Sequence, residues 1–366
     1  MMKTTPPRRI HITAWGSSAK QMLTGLGVKD VPGMVQLVQQ AVGARYQVTA
    51  SERMILAREV DEEGGRFDDA ARVREVESVF ADDGVAALVT IRGGAWFTRI
   101  LDRINWDLLG KRKRTLHLFG FSEMTTLITI AGQYPQVVGL YDLGPGFLES
   151  GMKRWALKNL SRLTNPQGMS DDLRAGFAAG WANAKYPEAF KAFFAEVADL
   201  LDGQPSPRVP TGRLLQGRLP ARRPIVITGG NLSLLVAMLG SRFMPAIETQ
   251  SKWLAIEDLN EACDKVDRMI AALRLAGLLD RADGLILGDF HSGDTEQSDA
   301  VFNILRHHLP RGSRKPVVAM DNFGHIWPLA PLPFHRPVTL CCRTQGRGRP
   351  SVRIEACRER DYPPTR

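Results

Sequence analysis

Ser122, His325 and the adjacent carboxylates Glu257 and Asp258 are the residues whose types and surroundings suit acyl-transfer chemistry. Leu116, Leu118 and Phe119 read as a short buried strand that Gly120 breaks, and Ser122 follows just before a helix-like apolar run. A serine at such a turn has its hydroxyl lifted off the sheet, beside helix N-terminal N–H groups that can hold a developing oxyanion. That is the setting of a nucleophilic serine. The same position also suits a helix N-cap. A nucleophilic serine needs a base and an acid that orients it.

Seven histidines are candidates for the base. His11 and His117 sit inside strand patterns, and His307 and His308 end a helix, where positive charge is favoured. His291 and His335 read as loop residues. His325, in Asp321-Asn-Phe-Gly-His-Ile-Trp-Pro, follows a strand and lies among glycine, aromatics and prolines, a rigid place to hold an imidazole. For the acid, the apolar strand Trp253-Leu-Ala-Ile ends in Glu257-Asp258. A carboxylate at a strand end can accept the imidazole N–H, while Asp258 or Glu261 suits the N-terminus of the next helix. If the imidazole must be neutral to act, activity falls on the acid side near about pH 6–7 for an ordinary histidine.

These residues need a frame. Strand patterns cover 9–15, 46–49, 86–91, 115–119 and 136–141, with helical patterns between them at 34–42, 68–80 and 125–131. This alternation predicts an α/β fold, a mostly parallel sheet with helices on both faces. Residues 148–201 read as helical and alanine-rich, and 202–212 as a proline- and glycine-rich linker. A second block then carries strands at 224–228, 253–257, 284–290, 316–320, 338–342 and 352–356, with a helix over 261–276 stopped by Gly277. The division expected is an N-terminal α/β nucleophile domain over 1–147, a helical insertion and linker over 148–222, and a C-terminal domain over 223–366.

Composition narrows the class further. The chain has 366 residues, 44% hydrophobic and 24% charged, in the range of soluble globular proteins. No run reaches the roughly 20 apolar residues of a membrane span, and no apolar core of a signal peptide follows the basic N-terminus. Cys263, Cys341, Cys342 and Cys357 form no C-x-x-C pair, so reduced thiols and a cytoplasmic location are expected. The net charge of +9 gathers at Lys111 to Arg114, Arg213 to Arg223 and Arg343 to Arg353. Without interleaved aromatics these read as solvated surface, not a nucleic-acid interface. Two glycine pairs, Arg92-Gly93-Gly94 and Gly229-Gly230-Asn231, follow strands but match no nucleotide-phosphate spacing, and no metal-ligand spacing is present.

Taken in order, these segments resemble the LD-carboxypeptidases, a family of serine peptidases that also includes self-immunity peptidases acting on microcin-C-like antibiotics. Gly65-Arg66-Phe67 resembles the segment before the family's third strand, Arg92-Gly93-Gly94 its R-G-G turn, and Gly120-Phe121-Ser122-Glu123-Met124-Thr125 its nucleophile turn. Gly229-Gly230-Asn231-Leu232, Glu257-Asp258 through Gly288-Asp289-Phe290, and Gly324-His325 through Leu332-Pro333 resemble its later signatures. The resemblance implies a triad of Ser122 as nucleophile, His325 as base and acid, and Glu257 as orienter. It implies an oxyanion hole from the backbone N–H groups of Gly94 and Glu123. It also implies a Rossmann-like N-terminal domain beside a smaller β-rich C-terminal domain, with the active site at the domain cleft, and a homodimer. The reaction implied is release of terminal D-alanine from murein tetrapeptides through an acyl-enzyme, with a muropeptide or other small peptide as partner and no metal or organic cofactor.

Three departures stand out. Phe121-Ser122-Glu123 replaces a usual tyrosine-serine-aspartate, Trp15-Gly16-Ser17-Ser18 replaces a proline-serine turn, and Phe334-His335 replaces an isoleucine-glycine pair. Two alternatives therefore stay open: a peptidase or amidase that inactivates a peptide–nucleotide antibiotic, with an aromatic such as Trp181 stacking on the base, or a catalytically silent binding protein of the same fold.

Overall fold

The computed structural model of the chain describes residues 8–56, 68–142, 144–220, 223–293, 295–343 and 350–356. Gly65-Arg66-Phe67 and Cys357 lie outside the described residues. The chain divides into two compact units. One comprises the chain up to Met124, Tyr134–Val137 and the stretch ending at Pro207; the other comprises Thr125–Gln133, Val138–Asp142 and the chain from Arg208 onward. The fold is mixed α/β.

The first unit is built on the parallel strands β1 (Arg9–Thr13), β2 (Gln47–Ala50), β3 (Val85–Thr90) and β4 (Leu116–Gly120). β1 lies between β2 and β3, with Ile10 opposite Val48 and Ala87, and β4 joins the far side of β3 through Leu88 opposite Leu118. Every residue of β3 is buried, as a parallel strand covered on both faces must be. The helix Val31–Val42 starts on Asp30, whose carboxylate accepts the Gly33 N–H at 2.8 Å. The long helix Asp171–Leu201 buries Tyr186, Phe190, Phe193 and Phe194, and Phe193 meets Phe119 of β4 edge-on. Burying four large aromatics explains how an alanine-rich helix holds its place.

One residue of a basic cluster departs from expectation, while Lys111, Lys113 and Arg114 are exposed as expected. Arg112 is not solvated but buried, donating to the carbonyls of Val79, Phe80, Asp82 and Val85 at 2.7–3.1 Å. Its guanidinium satisfies the last carbonyls of the helix Asp69–Ala81 and the turn into β3, groups with no partner inside the helix itself.

In the second unit, Val138–Tyr141 of β5 (Val137–Tyr141) carries an antiparallel edge strand described below. The unit is dominated by β6 (Thr211–Gln216), β7 (Pro224–Asn231), β8 (Trp253–Leu259), β9 (Gly284–Ser292), β10 (Thr295–Glu296) and β11 (Val317–Met320). Later strands are β12 (Leu332–Phe334), β13 (Pro337–Arg343) and β14 (Ser351–Ala356). Their order is β10-β9-β11-β6-β14-β13-β7-β8, and β8 also pairs with β9, so the sheet closes on itself. The pairings β7–β8, β8–β9 and β9–β11 are parallel and the rest antiparallel. β12 stands outside this ring, pairing antiparallel with β5 through Leu332 opposite Tyr141.

β6 begins in the stretch that read as a proline- and glycine-rich linker and runs into the basic stretch that read as solvated surface. Gly212 explains the misreading: a Cβ there would lie 2.0 Å from the Ala319 carbonyl of β11. The glycine marks a close backbone approach inside a sheet, not a turn. The helix Cys263–Leu275 buries Val266, Ile270 and Leu273 as its spacing predicts, and Gly277 follows in the left-handed conformation at φ 77°. No helix among the described residues is long and apolar enough to cross a membrane.

Candidate active site

The nucleophile candidate sits in the first unit where β4 ends. Gly120 closes the strand, and Ser122 opens a tight turn in which the Met124 N–H bonds the Phe121 carbonyl at 3.0 Å. Ser122 has φ +57°, a left-handed backbone that a non-glycine residue rarely adopts. An N-cap residue sits in the extended region instead, so this is not the geometry of a plain cap. Strain of this kind gathers at functional turns. Gly93 lies against the serine: a Cβ there would fall 2.6 Å from the Ser122 Cβ and 3.0 Å from its Oγ. Only glycine lets the chain after β3 approach the hydroxyl so closely.

The Gly93–Gly94 peptide is held in one orientation. The Ser17 N–H donates to the Gly93 carbonyl at 2.9 Å. A trans peptide places its N–H opposite its carbonyl, so the Gly94 N–H points away from the Ser17 loop. Gly94 is exposed with φ +100°, and a Cβ on it would strike Ser17 Oγ at 2.0 Å. The turn Trp15-Gly16-Ser17-Ser18 therefore fixes this peptide without a proline. The Arg92 guanidinium donates to the Ser18 carbonyl at 3.2 Å, on the same loop.

Glu123 is buried, and its carboxylate accepts from both the Thr98 N–H at 2.7 Å and the Thr98 hydroxyl at 2.9 Å. Burial pushes its carboxyl above the usual range, against the lowering effect of the Thr98 bonds. The side chain thus ties the turn after the serine to the loop after Gly94. The extra methylene, relative to aspartate, is the reach that contact uses.

The second unit holds the base and acid candidates. His325 Nδ1 lies 2.6 Å from Glu257 Oε2, and both side chains are buried. A carboxylate can only accept, so Nδ1 donates and Nε2 is the ring nitrogen for proton exchange. Glu257 Oε1 accepts the Tyr141 hydroxyl at 2.5 Å and the Asn231 amide at 3.3 Å. The same amide reaches Asp258 Oδ1 at 3.0 Å. Burial pulls the His325 imidazole down, but the attraction of Glu257, with Asp258 and Asp289 behind it, pushes it further up, so the net displacement is above its ordinary value.

The histidine loop is pressed onto β8 and β9 by two glycines. A Cβ on Gly288 would meet the Phe323 carbonyl at 2.6 Å, and one on Gly324, at φ +115°, would meet Asp289 N at 3.0 Å and Glu257 Cβ at 3.1 Å. Asn322 pins the start of the loop, donating to the Val209 carbonyl at 2.9 Å and accepting the Thr211 N–H at 2.8 Å.

Both halves of the chain also match known proteins. The LD-carboxypeptidase N-terminal domain matches residues 10–141, and the C-terminal domain of the same family matches residues 226–340. The chain belongs to the LD-carboxypeptidase family. It is similar to the probable murein peptide carboxypeptidase of Bacillus subtilis, 27% identical over 73% of this chain and 72% of that protein. It is also similar to the microcin C7 self-immunity protein MccF of Escherichia coli, 23% identical over 72% of this chain and 73% of that one. Among solved structures, the muramoyltetrapeptide carboxypeptidase from Oxalobacter formigenes shares the fold, with a TM-score of 0.57 at 21% identity over 95% of this chain and 98% of that one. As a member of the LD-carboxypeptidase family the chain is a peptidase.

Within this LD-carboxypeptidase chain the other histidines have local roles. His11 bonds Thr49, and His308 at its helix end lies 2.8 Å from Asp267. His335 is half-buried, and desolvation, aided by Lys252 and Arg336, pushes it down to about 3. His291 is a strand residue of β9, not a loop residue, 2.6 Å from Asp289. Asp258 caps a helix, but the preceding one: it accepts the Ser233 N–H at 2.9 Å and hydroxyl at 2.6 Å at the start of Leu232–Met238. Ala262 precedes Cys263–Leu275 without a side-chain cap, and Glu261 pairs with Lys265 at 3.5 Å. Sequence reading missed Tyr141 and the bridging role of Asn231. Asn231 stood within a recognised glycine-asparagine motif, whereas Tyr141 carried no signal beyond ending a strand. Among the described residues no cluster of three or more His, Cys, Asp or Glu side chains could hold a metal ion.

Proposed function

We propose that the chain is a cytoplasmic serine carboxypeptidase that cleaves an L,D peptide bond and releases terminal D-alanine from murein tetrapeptides in peptidoglycan recycling. Ser122 Oγ attacks the carbonyl carbon before the terminal D-alanine while His325 Nε2 takes its proton. The N–H groups of Gly94 and Glu123 hold the oxyanion, each contributing on the order of 3 kcal/mol to lowering the barrier. When the intermediate collapses, His325 returns the proton to the departing amine, leaving an acyl-serine. Water, deprotonated by the same imidazole, then hydrolyses the ester. Glu257 keeps Nδ1 protonated and stabilises the imidazolium. The region 148–222 shapes substrate choice, and the working form is a homodimer.

The observation that carries this reading is the buried 2.6 Å Glu257–His325 pair, in a chain that also presents a serine on a strained left-handed turn. The name of the Bacillus subtilis relative supports the substrate. Purified protein is expected to release D-alanine from a murein tetrapeptide and to leave an all-L peptide of the same length intact. Hydrolysis of an aminoacyl-adenylate analogue with no D-alanine release would replace this substrate by a peptide–nucleotide conjugate.

The raised imidazole sets the pH dependence. Because His325 must be neutral to accept the serine proton, kcat/KM falls as pH drops through its titration. The acid limb is expected above the ordinary imidazole midpoint of about 6.5. A profile flat from about pH 5 to 8 with chemistry rate-limiting would remove His325 from the role of base.

A further inference from the structure

We infer that Tyr141 is a positioning residue of this site, acting through Glu257 to fix which carboxylate oxygen serves His325 and how strongly the imidazole is charged. The inference rests on the proposed roles of Glu257 and His325.

Glu257 is fully buried and uses its two oxygens for different partners. Oε2 faces the imidazole, and Oε1 takes the Tyr141 hydroxyl at 2.5 Å with the Asn231 amide at 3.3 Å. A phenol bonded this closely to a carboxylate draws off part of its negative charge. It also blocks rotation of the carboxylate, since turning the group would strand the hydroxyl in a buried site.

The tyrosine is itself held. It ends β5, whose pairing with β12 sets Tyr141 opposite Leu332. Its ring meets Phe323 edge-on at 5.2 Å and stacks near Phe334 at 5.5 Å. Phe323 lies two residues before His325. One side chain thus braces the histidine loop with its ring and the carboxylate with its hydroxyl.

The hydroxyl can be removed without the ring. Acidic groups near the imidazole come from β8 as Glu257 and Asp258 and from β9 as Asp289, with His291 beside it. All of them remain in Tyr141→Phe. With the phenol gone, the full charge of Glu257 acts on the imidazolium, so the imidazole titrates at higher pH. The expected results are a His325 midpoint raised by about half a pH unit or more, read by NMR of the imidazole, and an acid limb of kcat/KM displaced the same way. kcat should fall about tenfold at neutral pH with KM little changed. An unchanged His325 midpoint overturns the inference, even if activity falls, because a purely packing role would leave the titration in place. The midpoint is read in the Ser122→Ala background as well as in the wild type, so it decides the role of Tyr141 even if Ser122→Ala proves active and the serine reading fails.

Discussion

Ser122→Ala is expected to lower turnover by about a million-fold while leaving the protein folded, because nothing else in the proposed mechanism can form the acyl-enzyme. Residual rate over solution comes only from substrate binding and the oxyanion N–H groups. The left-handed backbone adds a second, independent expectation. At φ +57° any side chain with a Cβ is strained by about 1 kcal/mol or more, and alanine keeps that strain. Glycine removes it. Ser122→Gly should therefore resist urea better than Ser122→Ala, by about 1 kcal/mol, while being equally inactive. Fold and function oppose each other at this residue, as expected where a turn is shaped to present a hydroxyl. Wild-type turnover in Ser122→Ala would end the serine mechanism, and a glycine variant weaker than the alanine variant would show that the turn stores no strain.

The parallel strands of the first unit and the helix Cys263–Leu275 were legible because their buried faces force a period on the sequence. β3 is apolar throughout, and Val266, Ile270 and Leu273 recur at helical spacing. β6 was not, because Gly212 serves a close strand contact and its alternate positions face different surroundings. Arg112 misled for a related reason: its charge suggests solvent, yet its partners are carbonyls from a helix end more than 25 residues earlier, which no local pattern encodes. The same limit governs the site. Ser122 and His325 stand at a strand end and in a rigid loop, where residue type and punctuation carry information, and Glu257 stood out as a charge closing an apolar run, although β8 continues past it to Leu259. Tyr141 acts through a hydroxyl that meets a carboxylate 116 residues away, and a tyrosine at the end of a strand is the commonest of observations. Asp258 shows how topology redirects a local rule, since β7 and β8 are neighbours and bring it to the helix before it, not the one after.

Glu257→Gln is expected to lower kcat by about ten-thousandfold without unfolding the protein, through a change of tautomer and charge. Glutamine has nearly the shape of glutamate, and its carbonyl oxygen can still accept from Tyr141 where Oε1 does now. That leaves the amide NH2 facing His325 Nδ1. An amide nitrogen donates, so Nδ1 must become the acceptor and the proton moves to Nε2, the atom proposed to receive the serine proton. The base is then protonated at the wrong nitrogen while still neutral. Charge moves in the same sense. With Glu257 gone, burial of the imidazole loses its strongest opponent, while Asp258 and Asp289 remain, so the His325 midpoint should fall below that of the wild type. Glu257→Ala is a different experiment. It takes this acceptor from the Tyr141 hydroxyl and the imidazole in a fully buried place, while the Asn231 amide keeps Asp258, at a cost of about 3–5 kcal/mol in stability. The two variants together separate chemistry from folding: the glutamine variant should melt close to the wild type and be nearly inactive, and the alanine variant should melt far lower. A glutamine variant with wild-type kcat, or a His325 midpoint that does not fall, would remove Glu257 from the mechanism.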